Sequence, residues 1–381
     1  GPEIVPLAEA WGRVATEDVT AGVAVPHFVR SMMDGYAVVA ESTFSASEYR
    51  PAALEVVGEA FAGHPATIDR PLRSGEAVRI TTGAPLPDGA DAVLVVEHTV
   101  AEGDRRVLAT QPVSPQKHVA PVGEDISVGD IVLRAGRRLR PQDVGVLASV
   151  GVTTVAVIRR PRVRILITGD ELLPPGSVPE GPRIVDSNSL VLGGLARRDG
   201  AAVVDTQRLP DDPDAIGAAL SDGGADLVLL SGGSSVGPED HAPRLLAELG
   251  ELVVHGVAMR PSSPAGFGTV EGRPVFLLPG NPVSCLCAYE FFAGPALRVQ
   301  GGGRPDWPHR VVRRPAASKL VSVLGRTDFM RVRLHEGEVV PIMTSGASVL
   351  SSTTEADGAV IIDDGSEGHA PGDLVDVHLF A

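Results

Sequence analysis

The segment Asp226–Asp240, DLVLLSGGSSVGPED, decides the fold of this chain. Its apolar run Asp226–Leu230 predicts a short buried strand, and the residues after the segment, Ala242–Leu249, follow a helical pattern. Glycines in a turn between a strand and a helix let backbone N–H groups come close to an anion, and the helix N-terminus adds favourable partial charge. Such turns also occur in α/β folds without any ligand. Alone, the segment therefore predicts a strand–turn–helix unit and leaves the anion site as a hypothesis.

Acidic residues stand beside this turn and beside a second turn of the same kind. Glu239 and Asp240 close the glycine-rich turn, and Asp170 and Glu171 follow the apolar run Val163–Thr168. Carboxylates that converge next to a phosphate cradle are the usual ligands of Mg²⁺, which prefers oxygen. We interpret the pair of turns as a site for a phosphate ester with a divalent metal, while each acid alone could equally belong to a solvated turn.

Strand and helix patterns alternate over residues 161–303, which predicts an α/β domain of three layers with a mainly parallel sheet. Ligands of such sheets bind beyond the carboxyl ends of the strands. Three turns are predicted at strand ends of this kind, and we also expect a helix at Ser189–Arg198 and a long one at Ser284–Val299. The candidate ligand-binding residues there, beyond the acids, are Thr168, Gly169, Asp186, Ser187, Asn188, Ser231, Gly232, Gly233, Ser234, Gly237, Pro279, Gly280, Asn281 and Pro282.

The rest of the chain is divided by its turns. Residues 31–124 read as short strands between Gly and Pro turns, a small β domain, and residues 309–381 as a second one, similar to a β-barrel. Residues 1–30 contain a short helical piece at Leu7–Arg13, and we expect them to pair with residues 125–160 as an elongated connector domain.

Composition excludes several classes of function. The 381 residues carry a formal net charge of -15, which argues against a nucleic-acid partner held by its phosphates. The chain has two cysteines, Cys285 and Cys287, which indicates a reducing compartment without a disulfide framework. No apolar run approaches the roughly 18 residues that span a bilayer, so we expect a cytoplasmic protein without a membrane partner. The histidines show no zinc-ligand spacing, and no Ser–His–Asp triad is recognisable.

Several segments, in this order, resemble the MoeA-type molybdopterin molybdenumtransferases, the family that includes the C-terminal domain of gephyrin. The segments that carry the resemblance are SMMDGYA at 31–37, RITTGAPLPDGAD at 79–91, GEDI at 123–126, TGDEL at 168–172, Asp186–Asn188, Ser231–Asp240, LPGNPVS at 278–284 and 345–358. Together they cover nearly the whole chain.

The resemblance implies insertion of molybdate into adenylylated molybdopterin with Mg²⁺ and release of AMP. It also implies a homodimer whose active site lies between the α/β domain of one subunit and the small β domain of the other, and the molybdopterin adenylyltransferase as a possible partner. Catalytic roles would fall on Asp34, Thr82, Glu171 and Asp240, and metal ligation on Asp170, Glu171 and Asp240.

One segment departs from the family pattern. A string of the type Lys-Pro-Gly-Lys-Pro is expected where this chain has Arg260-Pro261-Ser262-Ser263-Pro264. Arg260 keeps a positive charge but presents a planar fork, and Ser263 replaces the second cation. We expect both residues to lie at the anion site, with weaker anion binding than in the family.

This departure leaves a second hypothesis open, a catalytically altered paralogue that binds molybdopterin or serves as a scaffold. A third is an adenylyltransferase that uses the α/β domain alone, against which the two β domains argue.

Overall fold

The computed structural model describes residues 1–233, 241–343 and 346–380, without the side chain of Met343. The chain divides into two compact units. One contains Gly1–Glu3, Gly12–Val14 and Ile158–Ala381, and the other contains Ile4–Trp11 and Ala15–Val157.

A six-stranded sheet forms the centre of the larger unit. Its strands, in spatial order, are Ala202–Leu209, Arg162–Thr168, Leu227–Ser231, Arg273–Leu278, Gly266–Val270 and Glu251–His255. The first four run parallel, as the alternating pattern predicts. Gly266–Val270 pairs antiparallel with Arg273–Leu278, and Glu251–His255 pairs antiparallel with Gly266–Val270. Strand Gly266–Val270 was missed in the sequence; it turns back through Glu271 and Gly272, whose φ values of 52° and 76° suit a two-residue hairpin turn.

Helices cover both faces of this sheet, and their bounds are Asn188–Arg198, Pro213–Ser221, Ala242–Leu249, Pro282–Ala288 and Gly294–Gln300. The expectation of one continuous helix over Ser284–Val299 is wrong, because a π-helical stretch, Tyr289–Ala293, separates two α-helices. Pro295 supplies the reason: it has no N–H to donate to the preceding turn, so the regular hydrogen-bond ladder cannot continue through it.

The central strand Leu227–Ser231 is buried along its whole length. Leu227 and Leu229 pack with the helix Asn188–Arg198, and Val228 and Leu230 pack on the opposite face. A strand covered on both faces reads as a continuous apolar run, which is why this one was recognisable in the sequence.

A second six-stranded arrangement follows towards the C-terminus of the same unit. Its elements and the short strands near them are Met259–Arg260, Arg310–Pro315, Leu320–Val321, Thr327–His335, Glu338–Met343, helix Ser351–Glu355, Gly358–Ile362, Gly368–His369 and Leu374–Leu379. The strands Leu172–Leu173 and Ile184–Val185 pair with each other in a separate two-stranded sheet. The parallel pairing of Met259–Arg260 with Thr327–His335 fixes Arg260 opposite Asp328.

The smaller unit is built on a sheet with the order Ala92–Val95, Gly35–Val38, Glu76–Ile80, Ala52–Ala60, Arg106–Ala109 and Thr99–Ala101. Further elements up to residue 158 are strands Pro2–Pro6, Val19–Thr20, Arg30–Ser31, Val119–Ala120, Ile131–Leu133 and Thr154–Ile158, 3₁₀ turns Leu7–Glu9, Ala40–Thr43 and Val96–His98, and helix Pro141–Ser149. The helical piece expected at Leu7–Arg13 is thus only a 3₁₀ turn, Leu7–Glu9.

In the described part of the chain, every helix is too short or too polar to cross a bilayer.

Leu192 tests the packing of the sheet. Its side chain is fully buried against the central strands, whereas Leu190, on the same helix, is 66% exposed. Leu192→Ala should lower the free energy of unfolding by about 2–5 kcal/mol because it leaves a cavity in the core. Leu190→Ala is the matched control and should change it by less than about 0.5 kcal/mol. Denaturant titration of both variants measures this, and equal losses would contradict the assigned core.

Candidate functional site

A cavity of about 770 Å³ lies at the carboxyl ends of the parallel strands. The turns that follow Arg162–Thr168, Leu227–Ser231 and Arg273–Leu278 all contribute to its wall. Its lining residues are Ile167, Thr168, Gly169, Glu171, Leu172, Ile184, Val185, Asp186, Ser187, Asn188, Asp211, Ser231, Gly232, Gly233, Pro264, Pro279, Gly280, Asn281, Pro282 and Ser348. The structure therefore brings the described candidate residues of these turns to one cavity, and their ligand-binding role stays a prediction. Ser234, Gly237, Glu239 and Asp240 lie outside the described residues.

Glycine is required where these turns meet. Gly232 has a φ of 102°, and a Cβ atom there would lie 2.4 Å from the carbonyl oxygen of Thr168. Its N–H donates to the carbonyl oxygen of Leu278 at 3.2 Å. A Cβ on Gly280 would lie 3.7 Å from the Cα of Gly232, so the backbones of the turns are in direct proximity.

Asn188 connects two of the turns. Its Nδ2 donates to the carbonyl oxygen of Gly280 at 2.8 Å and to the Ser231 Oγ at 3.0 Å. Residues of the types found at Asp186–Asn188 can cap the helix that follows or contact a ligand. The cap comes from Asp186, whose Oδ1 accepts the backbone N–H of Ser189 at 3.0 Å, whereas Ser187 makes no capping bond.

Three buried polar atoms in this wall have no hydrogen-bond partner within the described residues. They are Thr168 Oγ1, Asp186 Oδ2 and Asn188 Oδ1. A buried polar atom without a partner is costly, so such atoms usually meet water or a ligand. All three residues line the same cavity, so its wall suits a polar ligand.

Two carboxylates line the cavity within the described residues besides Asp186, and they are Glu171 and Asp211. A Cβ on Gly169 would lie 2.6 Å from Glu171 Oε2, so the Glu171 carboxylate folds back over that turn. Asp170 does not line the cavity; its backbone N–H donates to Asp211 Oδ2 at 3.2 Å, and its Oδ1 accepts from the N–H of Asp211 at 3.3 Å. The described residues contain no cluster of three metal-ligating side chains.

Sequence analysis missed Asp211. It follows strand Ala202–Leu209, the parallel neighbour of Arg162–Thr168, so its position at a strand end was the available signal.

A second cavity of about 390 Å³ shares Pro264, Pro279 and Asn281 with the first. Arg260 and Ser263, the expected anion-binding residues, line this second cavity. Arg260 donates from Nη2 to Asp328 Oδ2 at 2.6 Å, so its charge is already paired, and Ser263 is exposed.

Arg331 lines the second cavity and is the buried cation that sequence reasoning missed. Its side chain is 3% exposed and donates to the Ser352 Oγ and to the carbonyl oxygen of Gly346. No carboxylate among the described residues pairs with it, and burial lowers the pKa of Arg331. An arginine nevertheless stays charged in proteins, so the cavity wall holds an uncompensated positive charge that suits an anion.

Asp34 and Thr82 belong to the smaller unit, where they contact each other. Asp34 Oδ1 accepts the backbone N–H of Thr82 at 2.7 Å and its Oγ–H at 2.9 Å. These two hydrogen bonds hold the pKa of the exposed Asp34 carboxyl below its usual value. The carboxylate is therefore kept ionised and oriented.

The cysteines provide a test of the packing beneath the main cavity. Both are buried, and burial raises the pKa of Cys285 to about 12. The native protein should therefore show almost no reaction with a thiol reagent at pH 8, because the thiolate is the reactive species. Two thiols should react per chain after denaturation, and rapid reaction of the native protein would contradict the packing of helix Pro282–Ala288.

Models of known protein families match this chain over most of its length. Residues 1–151 match the family model of the MoeA N-terminal region (domain I and II), residues 164–299 that of a probable molybdopterin binding domain, and residues 313–380 that of the MoeA C-terminal region (domain IV).

Relatives and solved structures of similar length share this match. The molybdopterin molybdenumtransferase 2 of Mycobacterium tuberculosis is 38% identical over 89% of this chain and 85% of its own. A putative molybdopterin biosynthesis protein of Methanocaldococcus jannaschii is 36% identical over 98% of this chain and 91% of its own. The crystal structure of the molybdopterin biosynthesis MoeA protein from Pyrococcus horikoshii superposes with a TM-score of 0.84 at 35% identity, covering 100% of this chain and 95% of that one. Three family models match consecutive parts of the chain, and a relative is 38% identical to it, so the chain belongs to the MoeA family.

Proposed function

We propose that the protein is a molybdopterin molybdenumtransferase, which inserts molybdate into adenylylated molybdopterin and releases AMP. The observation that carries the proposal is the pair of adjoining cavities, one walled by strand-end turns and the other by the unpaired, buried Arg331. A large phosphate ester and a small oxyanion could thereby occupy neighbouring volumes.

The larger cavity suits the adenylylated molybdopterin. Its volume of about 770 Å³ lies within the usual range for small-molecule sites. Gly232 and Gly233 line this cavity without side chains, so their backbone would be open to the ligand. The dithiolene sulfurs that receive the metal belong to the substrate, so the buried Cys285 and Cys287 need not take part.

The smaller cavity suits molybdate. Arg331 offers a cation whose charge no described carboxylate compensates, and Ser262 and Ser284 line the same cavity, where the Ser262 Oγ donates to the carbonyl oxygen of Ser284. Ser263 replaces the second cation of the family pattern, but Arg331 supplies another positive charge at this cavity. The departure at Arg260 and Ser263 therefore changes the strength of anion binding without abolishing it.

Mg²⁺ fits the carboxylates that line the larger cavity. Glu171 and Asp211 would supply oxygen ligands there, and Asp240 is the further ligand that the sequence suggests. Mg²⁺ is usually held by one or two carboxylates together with substrate phosphates, so this modest set is sufficient. When bound, the ion would neutralise charge on the phosphate from which AMP departs. Asp170, held against Asp211, keeps the two acidic turns in a fixed arrangement.

The assembly forms a further part of the proposal. We infer from the family resemblance a homodimer in which Asp34 and Thr82 take part in catalysis. A cytoplasmic location, the adenylyltransferase as partner, and the division into a connector domain (1–30 and 125–160), two β domains (31–124 and 309–381) and an α/β domain (161–303) likewise stay predictions.

The acidic residues give the first test. Glu171→Gln and Asp240→Asn should each lower the rate of molybdate-dependent AMP release by about 100-fold or more, because each removes a charge from the metal site. Glu248→Gln, at a residue whose side chain is 60% exposed, is the control and should keep the normal rate. A single-turnover assay with adenylylated molybdopterin, Mg²⁺ and molybdate measures the rate. Normal turnover in both acidic variants would remove the proposed metal site.

Arg331 gives the second test. Arg331→Lys keeps a charge but loses the planar fork, so the KM for molybdate should rise by about tenfold or more while substrate binding stays unchanged. Arg333→Lys is the matched control: Arg333 lies on the same strand, is half-exposed and pairs with Glu355. Rates measured over a series of molybdate concentrations separate the two variants.

These assays also decide between the transferase and a scaffold. Tight binding of adenylylated molybdopterin by the unmodified protein without any AMP release would favour the non-catalytic paralogue.

A further inference from the structure

A third cavity, of about 340 Å³, lies between helix Asn188–Arg198 and the edge strand Ala202–Leu209. It shares Asp186 with the 770 Å³ cavity, so that this residue stands in the wall of both. Its lining residues are Pro175, Asp186, Ser189, Leu190, Gly193, Arg197, Val203, Thr206 and Arg208.

A bulge in the edge strand turns its polar side chains towards this cavity. Val163 pairs with Val203, but the next residue, Arg164, pairs with Asp205, so Val204 is the extra residue. Thr206 and Arg208 consequently pair with Ile165 and Ile167, which pack on the side of helix Asn188–Arg198. Without the bulge the alternation of the strand would place them on the opposite face of the sheet.

The cavity wall combines an unpartnered acceptor with unpaired cations. Asp186 is 3% exposed, and its Oδ2 has no hydrogen-bond partner within the described residues. Arg197 and Arg208 form no ion pair with any described residue. A Cβ on Gly193 would lie 3.2 Å from Arg197 Nη1, so the guanidinium folds back along the helix over that glycine.

We propose that this third cavity binds the pterin ring of the substrate. The edge of a pterin carries two adjacent N–H donors, the 2-amino group and N3–H, beside the O4 acceptor. The Asp186 carboxylate would accept from the two donors, and Arg197 or Arg208 would donate to O4. The faces of the flat ring would lie against Leu190 and Val203.

The position of Asp186 favours a pterin over a free nucleobase. The proposal rests on the proposed function, because it assigns the pterin and the adenylyl end of one substrate to two cavities that share this residue. Guanine presents the same donor–donor–acceptor edge. If GMP binds with equal affinity, the pterin assignment is overturned and the cavity is a site for a guanine nucleotide. Adenine lacks that edge and should not bind in the third cavity.

The first experiment is a titration of the full chain with 6-hydroxymethylpterin, followed by quenching of pterin fluorescence. Lumazine, which carries a carbonyl in place of the 2-amino group, is the matched ligand. The unmodified protein should prefer the pterin by about tenfold or more, because lumazine places an acceptor against the Asp186 carboxylate.

Asp186→Asn should weaken pterin binding by about tenfold or more and narrow or reverse the preference over lumazine. The amide oxygen can keep the bond to Ser189 N–H, so its NH₂ group would face the ring as a donor. A purely structural role of Asp186 would weaken both ligands equally, and that result would overturn the proposal. Arg208→Gln gives an independent reading if Asp186→Asn lowers the yield of folded protein, and should weaken pterin binding as well.

Gly193→Ala and Gly194→Ala form a matched pair on one helix. The added methyl group at 193 meets Arg197 and narrows the cavity, whereas nothing lies within 4 Å of a Cβ at 194. We expect at least about tenfold weaker pterin binding for Gly193→Ala and unchanged binding for Gly194→Ala. Equal affinities would show that the ring lies elsewhere.

The outcomes for the two proposals differ. Molybdate-dependent AMP release by the unmodified protein, together with variants that bind the pterin normally, would overturn the third-cavity assignment and leave the transferase standing. Specific pterin binding that depends on Asp186, without any AMP release, would keep this assignment and overturn the catalytic proposal.

Discussion

The close approach of three backbone turns at the strand ends is the constraint on which the site depends. Gly232 can come against the Thr168 carbonyl only because it has no side chain, and a Cβ on Gly280 would make van der Waals contact with the Cα of Gly232. Asn188 then fixes the spacing by donating to both Ser231 and Gly280. Once these turns are held together, their remaining polar atoms face a common volume, and the acids on the flanking turns are brought to its rim.

The charge buried beside the substrate cavity is opposite in sign to the net charge of the chain. The protein has a formal net charge of -15, yet a buried arginine without a described carboxylate partner lies beside the substrate cavity. Local burial explains the contrast, because a cation removed from water interacts with an anion more strongly than the exposed acids repel it. Arg260, by comparison, is paired with Asp328 and contributes less free positive charge than its position in the sequence suggests.

Much of the α/β architecture could be predicted from local patterns. The strand Leu227–Ser231 is a continuous apolar run, and helix Ala242–Leu249 has the bounds expected from its periodicity. The hairpin strand Gly266–Val270 could not, because its glycines pack against neighbouring backbone and carry little apolar signal. The break in the last long helix was also missed, although Pro295 was visible, since proline within a helical pattern does not say whether the helix kinks, ends or widens into a π-turn.

The sequence by itself determined the family, the turns that surround the main cavity and the acids on them, because these depend on residue types at fixed local spacing. Only the tertiary structure decided which distant groups join them. Arg331 reaches its cavity from a strand near the C-terminus, and Thr206 and Arg208 face helix Asn188–Arg198 because one bulged residue changes the alternation of their strand. Such placements depend on register and on pairing between segments far apart in the chain, which no local pattern encodes.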